Sequence, residues 1–127
     1  MLSRNDIFDF VLKTYGTQPE YLWLKAPNYA VLRQSGNAKW YATIMDVPKN
    51  KLGLEGEEKV DVLNVKCDPI MIGSMLKTKG FLPAYHMSKT NWISILLDSS
   101  VADDEILSLI DFSYTLTMSK AKQKKKK

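Results

Sequence analysis

The stretch Pro83–Trp92 gathers the side chains of this sequence best suited to recognition: His86, Lys89 and Trp92 recur every three residues, with Tyr85 and Asn91 beside them. The Lys89 ammonium attracts phosphate, His86 and Asn91 offer directed hydrogen bonds, and Trp92 or Tyr85 supplies a flat surface for a base. An architectural reading uses the same residues, with His86 and Asn91 holding a loop and Trp92 filling a core. Nucleophilic catalysis would need an oriented base. His86 is the one histidine in the chain, so Cys67 or a serine would have to approach it in space. Cys67 closes an apolar run, which favours a buried, inert thiol. No enzymatic activity is expected. The single cysteine excludes an intramolecular disulfide framework, and no Cys/His cluster has zinc-site spacing. No cofactor or metal is expected, and a reducing compartment fits best.

Charge suggests a partner, and its position qualifies the suggestion. The 127 residues carry 18 Lys and Arg against 14 Asp and Glu, a formal charge of +4, and a basic chain points to polyanions. Lys120, Lys122 and Lys124–Lys127 supply six of those cations, which leaves residues 1–119 with a net charge of −2. Within that body, residues 69–97 hold Lys77, Lys79 and Lys89 without a carboxylate. Residues 98–119 hold Asp98, Asp103, Asp104, Glu105 and Asp111 without a cation. The tail, residues 120–127, is low in complexity and self-repelling, so it reads as solvated and unfolded. Six phosphate contacts from it would give a log–log salt slope of about −5 on duplex DNA, with no sequence preference. The remaining length suits one domain, residues 1–119, and 45% hydrophobic residues can fill its core. No apolar run approaches the ~20 residues that span a bilayer, and the first residues lack a signal-peptide core. A soluble, cytoplasmic protein with no membrane association is expected.

The elements that must position these groups follow from pattern. Ser3 with Asp6 forms a capping-box signature ahead of Ile7, Phe8, Val11, Leu12 and Tyr15 at helical spacing, and Gly16 stops the helix. Residues 21–25, 29–34 and 40–47 are strand candidates, the last two joined by a link short enough for a hairpin. An extended 40–47 puts Trp40, Ala42 and Ile44 on one face. Residues 48–59, with Pro48, Gly53 and Gly56 among charged side chains, read as a mobile loop. Val60–Val65 marks a strand ending near Cys67. Asp68-Pro69 then starts a helix that runs toward Lys77 and Lys79, which complement its C-terminal dipole. Trp92–Asp98 reads as the final strand. Asp103, Asp104 and Glu105 open a last helix with Ile106, Leu109, Ile110 and Tyr114 on one stripe. The order argues for an α+β domain with helices on one face of an antiparallel sheet, and the absence of a Gly-rich phosphate loop argues against a doubly wound nucleotide fold.

Pro83, His86, Lys89 and Trp92, followed by Leu97-Asp98 and by Asp111-Phe112-Ser113-Tyr114, resemble the MmcQ/YjbR-like family. The resemblance extends to Trp23 and Lys25, to the hairpin around Val31 and Ala42, and to Val65-Lys66-Cys67. It implies a two-layer CyaY-like α+β fold and a DNA-binding role in which β-hairpins project as wings. The family's motif positions fall on His86, Lys89, Trp92, Asp98, Ser113 and Tyr114, and no catalytic residue comes with them. A CyaY-like relationship also raises iron as a ligand for Asp103, Asp104 and Glu105, although acids in a first turn serve the helix dipole equally well. The reading that results is a non-enzymatic DNA-binding domain. Arg33, Lys39, Lys66 and Lys89 attract phosphate on hairpin and loop surfaces, and His86 and Asn91 add directed bonds. The alternative is a protein–protein interaction adaptor that binds no nucleic acid.

Overall fold

A computed structural model describes residues 1–119, and the lysine-rich tail at 120–127 lies outside the described residues. Ser3 caps α1 (Arg4–Tyr15) reciprocally: its hydroxyl accepts from the Asp6 amide while the Asp6 carboxylate accepts from the Ser3 amide. Gly16 ends the helix at φ 72°, a left-handed conformation that glycine adopts without steric cost. The strands β1 (Ala30–Arg33), β2 (Trp40–Pro48) and β3 (Lys59–Lys66) then run as successive antiparallel neighbours. Asp68 accepts from the Ile70 amide and, with Pro69, starts α2 (Pro69–Met75). A second hairpin, β4 (Phe81–Pro83) with β5 (Trp92–Leu96), sets β5 against β3. The last element is α3 (Asp103–Thr117), and the sheet order is β1-β2-β3-β5-β4.

The α+β architecture expected from the sequence is present: a five-stranded antiparallel sheet with the helices on one face. Ile7 and Val11 of α1, Ile72 of α2 and Ile106, Leu109 and Ile110 of α3 bury against Leu32, Ile44, Leu63, Val65, Ile93 and Ile95 of the sheet. Each such side chain removed from water contributes about 1.5–3 kcal/mol. The opposite face carries Met45, Val47, Val62 and Leu96, and it is covered by connecting segments through Trp23, Tyr29, Leu52, Leu54 and Tyr85.

Four details differ from the sequence reading. Residues 21–25 are turns and coil, and only Glu20 bridges Val31. The segment lies over the sheet face through Trp23 instead of joining the sheet, so its aromatic residues serve as a cover. The helix after Asp68 ends at Met75, which leaves Lys77 and Lys79 in the turns beyond it, past its last carbonyls. Phe81–Pro83 forms an edge strand, too short for any periodicity to announce it.

The fourth difference concerns Trp40. The β1–β2 register slips between Leu32, opposite Ala42, and Arg33, opposite Trp40, so Tyr41 is an extra residue in β2. Tyr41 and Ala42 consequently both enter the helix-side core, while Trp40 turns to the other face and meets Trp23 at 5.9 Å between ring centres. The β2–β3 register ends at Ala42 opposite Val65. Just beyond it the Ser113 hydroxyl stands between the two backbones, accepting from the Lys66 amide at 2.9 Å and donating to the Tyr41 carbonyl. Helix α3 is thus wedged into the sheet where the bulge opens it.

Candidate nucleic-acid interface

Thr43 of β2, Asn64 of β3 and Ser94 of β5 stand opposite one another across three adjacent strands, and all are fully buried. Asn64 Nδ2 donates to Thr43 Oγ1 at 3.0 Å and to the Tyr85 carbonyl at 3.1 Å. Ser94 Oγ donates to Asn64 Oδ1 and accepts from the Tyr85 amide. Both backbone polar groups of Tyr85 are therefore held by the sheet, and the row leaves no member unpaired. This clamp sets the course of the chain immediately before His86, which sits at φ 59°, a value that residues other than glycine seldom adopt. The Tyr85 and His86 ring centres lie 4.0 Å apart.

Held in this way, His86 divides two hollows. The first, of about 350 Å³, is lined by Trp23, Tyr29, Trp40, Met45 and Met87 together with His86. The second, of about 320 Å³, brings Lys51, Leu52 and Tyr85 together with Lys89 and His86. A third, of about 220 Å³, holds Lys25, Lys51 and Lys59 beside Tyr29 and Asp46. Tyr29 and Lys51 are shared between hollows, so the three adjoin: the first two open on the loop-covered side of the sheet, and the third lies at its edge, where Asp46 and Lys59 alternate toward the helix side. Its one lining carboxylate, Asp46, lies 3.7 Å from Lys59 and accepts from Asn28 Nδ2. Among the described residues, Lys25, Lys51 and Lys89 form no ion pair. Burial, then the neighbouring Tyr85, pushes the Tyr29 phenol up to about 12.

Of the six side chains expected to contact phosphate, His86 and Lys89 share a hollow. Asn91 sits half-buried at the root of the same loop, its carbonyl accepting from the Cys67 amide at 2.7 Å. Lys66 stands opposite Trp92 at the end of β3, two residues beyond Asn64 and on the same side of the sheet. Arg33 is elsewhere: it pairs with Glu20 at 2.9 Å and lines a separate hollow with Tyr15 and Thr17. Lys39 is exposed at the β1–β2 turn. The residues that sequence reasoning gave no site role are Lys51, Lys25 and Trp40. Lys51 is masked by the acids of its own loop, and Trp40 by a bulge that no periodicity reveals.

The other motif positions are structural. Asp98 accepts from the Ser100 amide, Ser113 is the wedge in the sheet, and Tyr114 stacks on Tyr15 at 3.8 Å. Cys67 belongs to the helix-side core, 3.7 Å from Met75 Sδ, and burial pushes its thiol pKa up. His86 lies across the sheet from it, so the two form no nucleophile–base pair. Asp103, Asp104 and Glu105 fill the first turn of α3, whose N-cap Ala102 offers no side-chain bond. Among the described residues no group of three or more His, Cys, Asp or Glu is placed to hold a metal ion, and no helix is long and apolar enough to cross a membrane.

Residues 12–116 match the model of the YjbR family. The Bacillus subtilis (strain 168) protein titled "Uncharacterized protein YyaQ" is 48% identical over 117 residues, covering 92% of this chain and 99% of that one. A crystal structure of a Pseudomonas syringae protein superposes with a TM-score of 0.89 at 45% identity, covering 91% of this chain and 99% of its own. A solution NMR structure from Pseudomonas syringae gives 0.82 at 44% identity, over 93% and 94% of the two chains. A Deinococcus radiodurans crystal structure, 18% identical, shares the fold with a TM-score of 0.75 over 98% of this chain and 88% of that one.

Proposed function

The chain belongs to the YjbR family, and on that premise we propose that it is a DNA-binding protein without catalytic activity that holds phosphate against the loop-covered face of its sheet. One observation carries the reading: Lys51, His86 and Lys89 line a single hollow that contains no carboxylate. Lys51 comes from the β2–β3 connection and Lys89 from the β4–β5 connection. These two hairpin ends act as the paired wings, and each contributes one ammonium to the same phosphate path. His86, held by the Tyr85 clamp, adds a directed hydrogen bond where a flexible lysine supplies only charge. Lys66 and Asn91 extend the contact toward the end of β3, while Lys39, at the β1–β2 turn, and Arg33, paired with Glu20 in a separate hollow, lie outside it. The cytoplasm, where DNA is accessible and thiols stay reduced, suits this role.

Titration of the full chain with duplex DNA at several salt concentrations tests the reading. The double variant Lys51→Ala/Lys89→Ala is expected to bind more weakly, with a log–log salt slope shallower by about 2. An unchanged affinity and slope would remove this face from the interaction and leave any binding to other cations.

A protein-interaction adaptor has one observation in its favour. Leu24 is 100% exposed, with Tyr21 and Leu22 at 53% and 45% on the same segment, and adjacent apolar side chains in solvent suit a protein surface. That reading predicts no DNA binding even at low salt, together with a retained protein partner that Leu24→Asp releases.

A further inference from the structure

We infer that the aromatic hollow beside His86 receives one unpaired nucleobase while the adjoining lysines hold the phosphate attached to it. The inference rests on the nucleic-acid reading above and narrows it from the phosphate backbone to a specific ligand group. Trp23 meets Trp40 at 83° and Tyr29 at 74°, with ring centres 5.9 and 5.8 Å apart, so three rings bound a corner instead of a flat patch. Met45, Met87 and His86 complete its walls. At about 350 Å³ the hollow stands near the lower end of the ~300–1,000 Å³ range of small-ligand sites. That is room for one planar ring system. The faces of paired bases are hidden in their stack, so only an unpaired base can offer its ring to such a corner.

Charge decides between this occupant and the principal competitor. Aromatic rings at right angles also suit a quaternary ammonium group. Here, however, His86 is shared with a hollow that holds Lys51 and Lys89, and Tyr29 is shared with one that holds Lys25, Lys51 and Lys59. The one lining carboxylate, Asp46, is already beside Lys59. A cation would be repelled, whereas a base that carries phosphate places its ring on the aromatic side of His86 and its charge on the other. The bulge at Tyr41 is what makes the corner, because it turns Trp40 onto this face. His86 supplies ring nitrogens at the boundary, where an edge of the base would pass.

The full chain is titrated, with tryptophan fluorescence as the readout, against oligothymidylate, an abasic strand of equal length, thymidine monophosphate and tetramethylammonium chloride. Oligothymidylate is expected to quench the emission and to bind about tenfold more tightly than the abasic strand. Trp23→Ala should abolish that preference, and the exposed-site variant His86→Ala should reduce it while thermal unfolding confirms that the chain remains folded. Thymidine monophosphate binding as tightly as the strand would support the base site and assign it to a free nucleotide. Equal affinity for abasic and base-bearing strands would overturn the inference and leave the phosphate reading standing. Binding to none of the phosphates would overturn both, and saturable quenching by tetramethylammonium alone would assign the corner to a cation.

Discussion

Asn64 is fully buried, yet the position of His86 depends on it through the backbone of Tyr85. Replacing it with alanine would leave buried Thr43, Ser94 and the Tyr85 carbonyl short of partners, a loss of about 1–3 kcal/mol. Asn64→Ala should therefore lower the urea midpoint and, on the proposed phosphate path past His86, also weaken DNA binding from a fully buried position. A polar residue inside Val62–Val65 is visible in the sequence as an anomaly, but its partners come from β2, β5 and a loop, and no spacing along the chain reports them. The tyrosines give a second expectation at this scale. Burial raises Tyr15 and Tyr41, and Tyr29 is pushed up to about 12, whereas unfolded phenols titrate near 10. Across that window the unfolded chain releases protons that the folded chain retains, so stability falls as pH rises. Urea midpoints that stay flat or increase from pH 9.5 to 11.5 would contradict this.

At the scale of elements, local chemistry was legible and its interruptions were not. The capping box at Ser3, the Asp68-Pro69 start and the acidic first turn of α3 follow from a few adjacent residues, and each opens a helix where expected, although the one after Asp68 ends early at Met75. Ser3→Ala should cost about 1 kcal/mol in thermal or chemical denaturation. The bulge at Tyr41 is different, because it depends on how two strands meet and leaves no mark on the alternation of either. The entry to β4 is equally hidden. Gly80 adopts φ +96°, and a β-carbon there would lie 2.6 Å from Val101 Cγ2 and 2.8 Å from Ser100 Cβ. Gly80→Ala is therefore expected to destabilise the chain by about 1–3 kcal/mol, which a lowered melting temperature would show.

Across the whole molecule, the acids of α3 and the lysines that line the hollows stand apart. The helix bears Asp103, Asp104, Glu105 and Asp111, and the hollows bear Lys25, Lys51 and Lys89. The positive pole that the sequence showed, Lys77, Lys79 and Lys89, is divided in the structure: Lys77 and Lys79 lie in the turns after α2, and Lys89 lines the hollow beside His86. A Debye length of about 8 Å at physiological salt screens one group from the other. Asp104→Ala/Glu105→Ala should accordingly change DNA affinity by less than about twofold, while Lys89→Ala alone changes it more in the same titration. The Ser113 wedge has a consequence for dynamics. The Lys66 amide hydrogen is held by the α3 hydroxyl, not by a neighbouring strand, so its deuterium uptake would time the lifting of that helix from the sheet, separately from any unzipping of the strands themselves.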